Sequence, residues 1–193
     1  MERHVRSLRR AVEVAGELAE LTRALEDREG ARGALIGAVA ASYHGYVRGT
    51  EDVDLAVAVN PSTLSVLAAR LRGPKTTAVF SAPDAQDSLG GVLRIVEEDT
   101  DPLELVNYVQ PFRAIPPVGV DAIAEAIEIG DGLRVVTLAH LVALKLYAGG
   151  LKSEADVSEL LRHNPDADRQ GIRAVCARYD LATYFDAIAR RSG

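Results

Sequence analysis

The chain has 193 residues, 48% of them hydrophobic and 26% charged, with a formal net charge of −6. This is the balance of a globular unit a little longer than one typical domain, and it argues against coating nucleic acid, which needs a basic surface to displace counterions. A lone cysteine, Cys176, excludes an internal disulfide and a thiolate zinc cluster, and no apolar run approaches the ~18 residues of a membrane span.

Residues 3–28 form one amphipathic helix by pattern, with Val5, Leu8, Val12, Ala15, Leu18, Leu21, Ala24 and Leu25 at helical spacing and Thr22 as the polar residue on that stripe. Its Arg- and Glu-rich start has no apolar core of a signal peptide, so a cytoplasmic protein without a membrane partner is expected. Arg3, His4, Arg6, Arg9 and Arg10, and the arginines of the C-terminal helices from Arg162 to Arg191, read as solvated helix faces that leave room for a transient RNA contact.

A short strand at 34–36 follows, then Gly37 opens a small-residue helix over 38–44. Gly45 and Gly49 turn the chain into a strand over 52–59. Asn60, Pro61 and Ser62 start a helix that buries Leu64, Leu67, Ala68 and Leu71 and ends near Arg72. Strands are expected at 76–80, 91–96 and 103–106, with a polar loop at 81–88 and an acidic turn at 97–102. After prolines 111, 116 and 117, a short helix at 122–126 leads to a hairpin of 127–129 and 133–136. Thr137 caps a helix carrying Leu141, Leu144, Lys145 and Ala148, Gly149 and Gly150 stop it, Ser153 caps another to His163, and two more begin near Asp166 and Asp180. Cys176 falls in an apolar helical pattern, the setting of a small core residue.

Asp52 and Asp54 lie two apart on a strand and so share a face, at the start of a segment otherwise made of Val, Leu and Ala. With 28 acidic residues in the chain, about four pairs at this spacing arise by chance, so context decides. Here the context is a strand ending in Gly37, Arg48 and Thr50 just before the pair, and Glu104 between Leu103 and Leu105 on a later strand. Asp101, beside Pro102 in the acidic turn, is the competing third carboxylate. Adjacent negative charges at the mouth of an apolar strand call for a cation between them.

Glycine turn, Asp52-Val53-Asp54 and Glu104 together resemble the nucleotidyltransferase superfamily, the group typified by DNA polymerase beta. The resemblance implies an α+β fold, a small mixed sheet flanked by helices, with a nucleotidyltransferase core over 1–136 and a C-terminal helical lobe over 137–193. It implies Asp52, Asp54 and Glu104 as ligands of two Mg²⁺ ions, with Mn²⁺ as a substitute, and as the catalytic carboxylates. Glu104 would also assist deprotonation of the acceptor. Gly37 and Ala38 would offer backbone N–H groups to the phosphates of an NTP. The family's usual second residue is Gly or Ser, so Ala38 keeps the backbone donor and lacks the hydroxyl. Arg48 and Thr50, just before the acidic pair, would contact the nucleotide, with Arg48 meeting phosphate or holding one of the aspartates in an ion pair.

A narrower resemblance covers residues 138–156. Lys145 in an apolar helix, Lys152 two turns on and Asp156 after it look like the lysine-bearing helix and downstream acid of nucleotidyltransferases related to abortive-infection type IV toxins. It implies that Lys145 and Lys152 neutralise the triphosphate, that Asp156 orients them, and that an antitoxin protein is a partner. The function implied is transfer of a nucleoside monophosphate, from ATP or another NTP, to a hydroxyl on a tRNA or other RNA, a protein or a small molecule. A nucleotide- or partner-binding module without turnover is the rival, kept open by Ala38.

Overall fold

In the computed structural model, residues 2–26 and 29–191 are described; the end of the first expected helix at 27–28 lies outside them. The elements run α1 (Glu2–Glu26), β1 (Ala34–Leu35), α2 (Gly37–Tyr43), β2 (Val53–Val57), α3 (Pro61–Leu71), β3 (Thr76–Ser81), β4 (Val92–Glu97), β5 (Leu103–Asn107), α4 (Val118–Ala124), β6 (Ile127–Gly130), β7 (Leu133–Val135), α5 (Leu138–Ala148), α6 (Gly150–His163), α7 (Arg169–Ala177) and α8 (Ala182–Ala189). The strands form one open mixed sheet in the order β3-β4-β5-β2-β1-β7-β6. The expected small mixed sheet flanked by helices, followed by helices to the C-terminus, is the architecture found. No helix among the described residues is long and apolar enough to cross a membrane.

Sheet pairing is what positions the site. β2 pairs antiparallel with β1 and parallel with β5, and the parallel register sets Asp54 opposite Glu104. Alternation then buries Val53, Leu55 and Val57 on one face with Ala78, Leu93, Ile95, Leu103 and Leu105. α1 and α3 pack on this side, against β2 and against β3 and β4 respectively. α2 and α4 pack against β2 and also touch α5, which in turn holds α6 and α7. Asn107 fastens the end of β5. Fully buried, it accepts from the Val59 amide at 3.1 Å and donates to the carbonyls of Val59 at 2.9 Å and Gly90 at 3.1 Å.

Two local expectations are corrected. The buried stripe of α1 is Ser7, Ala11, Val14, Leu18, Leu21 and Thr22, with Val5 and Leu25 exposed. Ala11, Val14, Leu18 and Leu21 are an apolar series one step round from the expected one, and on the same face Ser7 Oγ accepts from the Asp101 amide at 2.8 Å and lies 3.2 Å from its carboxylate, while Arg3 Nε sits 2.9 Å from the same carboxylate. Thr22 is satisfied by donating to the Leu18 carbonyl at 2.7 Å. Ser153 is not a cap: α6 begins at Gly150, and Gly149 serves as both the C-cap of α5 and the N-cap of α6 through a positive φ of 71°. Thr137 caps α5 as read, accepting from the His140 amide. Cys176 is buried, and burial pushes its thiol up to about 11, the state of an inert core residue.

Candidate active site

β2, β5 and the turn before β2 bring three carboxylates together; Asp52, expected on the strand, lies in that turn. Ligand oxygens of Asp52, Asp54 and Glu104 all lie within 4.8 Å of one another. Asp101, the rival third acid, is taken up at the N-terminal end of α1 instead. Thr50 Oγ1 stands 2.7 Å from Asp52 Oδ1, a donated hydrogen bond that fixes the first carboxylate from the turn before the strand.

Asp54 owes its place to Gly37. The glycine has φ +62°, and a Cβ built on it would fall 1.9 Å from Asp54 Oδ2. The residue read as a phosphate-approach glycine therefore makes room first for a carboxylate. Ala38 is buried, with its methyl in the interior and its carbonyl accepting from Ser42 Oγ at 3.0 Å. Burial above all, then repulsion from Asp52 and Glu104, pushes Asp54 up to about 6 against the pull of Lys145 and Arg48. Lys145 and Arg48 offset that cost only in part. Three converging oxygens of which one resists ionisation suit a hard divalent cation such as Mg²⁺, which takes oxygen ligands.

The basic residues divide. Arg48, Gly49, Thr50, Glu51, Asp52, Asp54 and Lys152 line one open cleft of about 570 Å³. Lys145 lies beside it, its Nζ 2.5 Å from Asp156 Oδ2, and Arg48 Nε approaches Asp156 Oδ1 at 3.5 Å. Arg48 thus takes neither Asp52 nor Asp54 as its partner. Asp156 is buried, and so holds two cations together at the edge of the cleft. Replacing Asp156 by alanine leaves Lys145 desolvated without a partner, and we expect a loss of ~3 kcal/mol in chemical denaturation. Asp156→Asn, which keeps a hydrogen-bond acceptor, is expected to lose less.

The sequence reading missed two residues here. Arg94 on β4 stands opposite Glu104 in the antiparallel register and donates to its Oε1. The signal was available only through strand pairing, since ten positions separate the two. Tyr108 follows β5 on the same face as Glu104; its hydroxyl is pushed up by burial first and by Asp54 second.

Neither a family model nor a curated protein matches the sequence. Among solved structures, the antibiotic-resistance factor ANT(2″)-Ia is similar at 10% identity and TM-score 0.48, covering 94% of this chain and 96% of that one. ANT(2″)-Ia in complex with adenylyl-2″-tobramycin is similar at 11% identity and TM-score 0.48, covering 90% and 98%. The Megavirus polyadenylate synthase is similar at 13% identity and TM-score 0.42, over 81% of this chain and 32% of that one.

Proposed function

We propose that this protein is a metal-dependent nucleotidyltransferase that moves a nucleoside monophosphate from an NTP to an acceptor hydroxyl and releases pyrophosphate. The observation that carries the reading is the convergence within 4.8 Å of Asp54 and Glu104, on two parallel strands, and Asp52, in the turn just before β2, beside a cleft that also holds Arg48 and Lys152. The three carboxylates would hold Mg²⁺, which supplies charge neutralisation at the transferring phosphoryl group. Glu104 also receives the proton of the acceptor hydroxyl. Lys152 and Arg48 face the triphosphate, Lys145 adds to the field on Asp54, and Asp156 fixes Lys145 and Arg48 in place. Gly37 and Ala38 border the phosphate end through their backbone. Thr50 orients Asp52. Positioning and electrostatics suffice, since phosphoryl-type transfer leaves little covalent work for the protein.

The narrower reading, a toxin restrained by an antitoxin protein, rests on the Lys145, Lys152 and Asp156 pattern. Growth arrest on expression of the wild type and not of Asp54→Ala is its test. For the reaction itself, α-labelled NTPs are offered with total RNA, lysate protein and small hydroxyl compounds, and Mg²⁺-dependent label transfer with pyrophosphate release is expected. If no NTP and no acceptor gives transfer while Asp54→Ala binds nucleotide as well as wild type, the protein is a binding module, as the loss of a hydroxyl at Ala38 would allow.

A further inference from the structure

Asp54, Glu104, Arg94 and Val79 form one row across β2, β5, β4 and β3, each opposite the next in register. The row lies on the face that α1 and α3 do not cover. Over β2 this face is closed, with Ala56 fully buried, but beyond Glu104 it opens. Val79 is 52% exposed and Val96 42%, with Thr77 and Ser81 exposed and Val92 and Val106 half-buried. The sheet therefore extends outward from the carboxylates as a bare, valine-rich shelf, at about 4.8 Å per strand. Arg94 is the one cation among the described strand residues of this shelf. Lys75, just before β3, is held by Glu98 at 3.0 Å.

We propose that Arg94 is the acceptor-binding residue of this site and that the acceptor carries one oxyanion, a phosphate or a carboxylate, near its reactive hydroxyl. The proposal rests on the nucleotidyltransferase reading and names the substrate class of that site. Without metal, Arg94 neutralises Glu104. A divalent cation on Glu104 removes that role, because a guanidinium and a metal repel at one carboxylate. The side chain is about half exposed and turns onto the shelf, where its planar fork matches a phosphate or carboxylate. A single cation serves a single anionic group. A long nucleic-acid strand, which is tracked by a basic groove and several phosphate contacts, finds none here. The rest of the acceptor lies on Val79 and Val96.

Inorganic phosphate and acetate are the probes, each titrated into wild type, Arg94→Gln and Arg94→Lys while the backbone amide signals of β3 and β4 and, in wild type, the arginine Nε–H signals are followed by NMR. Expected is a saturable shift of the Arg94 signal only when Mg²⁺ and a non-hydrolysable NTP are present, with the NTP filling the triphosphate side. Affinity should fall at least tenfold in Arg94→Gln and recover in part in Arg94→Lys, and the tighter probe identifies the anion. Arg94→Gln should also bind Mg²⁺ several-fold more tightly, since a competing cation is gone. Equal response with and without metal, no response, or unchanged affinity in Arg94→Gln overturns the acceptor role alone. Absence of Mg²⁺ binding to wild type, with Asp54→Asn indistinguishable from it, overturns the metal site and the proposal with it.

Discussion

Asp54→Asn stabilises the metal-free protein at pH 7.5 and at the same time removes transfer activity and the response to Mg²⁺. The sign follows from the raised carboxyl. Asp54 is pushed from its ordinary 3.8 to about 6, so the folded state holds the proton more tightly than the unfolded chain does. The stability linked to that proton is fully present below pH ~4 and is lost as the pH rises through 6. The interval corresponds to roughly 3 kcal/mol at 1.36 kcal/mol per pH unit, and partial solvent access to the cleft brings it to about 2 kcal/mol. For a chain of this length that is a gain of about 4–8 °C in Tm at pH 7.5. At pH 4 the two proteins should melt together. Mg²⁺ at a hundredfold excess over its Kd should add about 2.7 kcal/mol to wild type and nothing to the variant. Transfer should fall by at least about a thousandfold. An Asp54→Asn protein that melts at or below wild type at pH 7.5 would show that the carboxylate already has its countercharge within the chain.

Much of the site was legible because strand pairing obeys simple periodicity. Asp54 and Glu104 each sit in an apolar strand frame, between Val53 and Leu55 and between Leu103 and Leu105, whereas Asp52, expected on the strand, lies in the turn just before it and is set by Thr50 instead of by alternation. Two strands with the same alternation at the same end of a parallel pair bring their acids together. Hydrophobic spacing found the strands, the cap of α5 at Thr137 and the buried face of α3. It failed on α1, where two overlapping apolar series compete and the buried one, Ala11, Val14, Leu18 and Leu21, also carries Ser7 inward to Asp101, a partner that no local pattern encodes. The partners of Arg48 and Arg94 were illegible for a related reason. Arg48 reaches Asp156 more than a hundred positions away, and Arg94 meets Glu104 only through the antiparallel register of β4 on β5. Local sequence gives a side chain its face, and tertiary pairing alone gives it a partner.

Gly37→Ala is expected to cost both folding energy and all metal-dependent transfer, and the coupling of the two losses is the informative quantity. At φ +62° an alanine loses ~1–2 kcal/mol on backbone grounds alone. Its Cβ would also stand 1.9 Å from Asp54 Oδ2 and 2.9 Å from Cγ, distances that no relaxation of the methyl can relieve. The carboxylate must leave the cluster, so Mg²⁺ binding and transfer vanish even in the fraction that folds. Removing the carboxylate first separates the effects. In an Asp54→Ala background, whose Cβ at 3.2 Å is nearly tolerable, Gly37→Ala should cost only the backbone penalty. A double-mutant cycle in denaturant should return an interaction energy of about 1 kcal/mol or more between positions 37 and 54. Additive losses would mean that the glycine serves only the turn into α2. A coupled result would mean that the missing side chain at Gly37 and the acid at Asp54 are one device, in which the turn is bare so that a carboxylate can be set where a cation completes it.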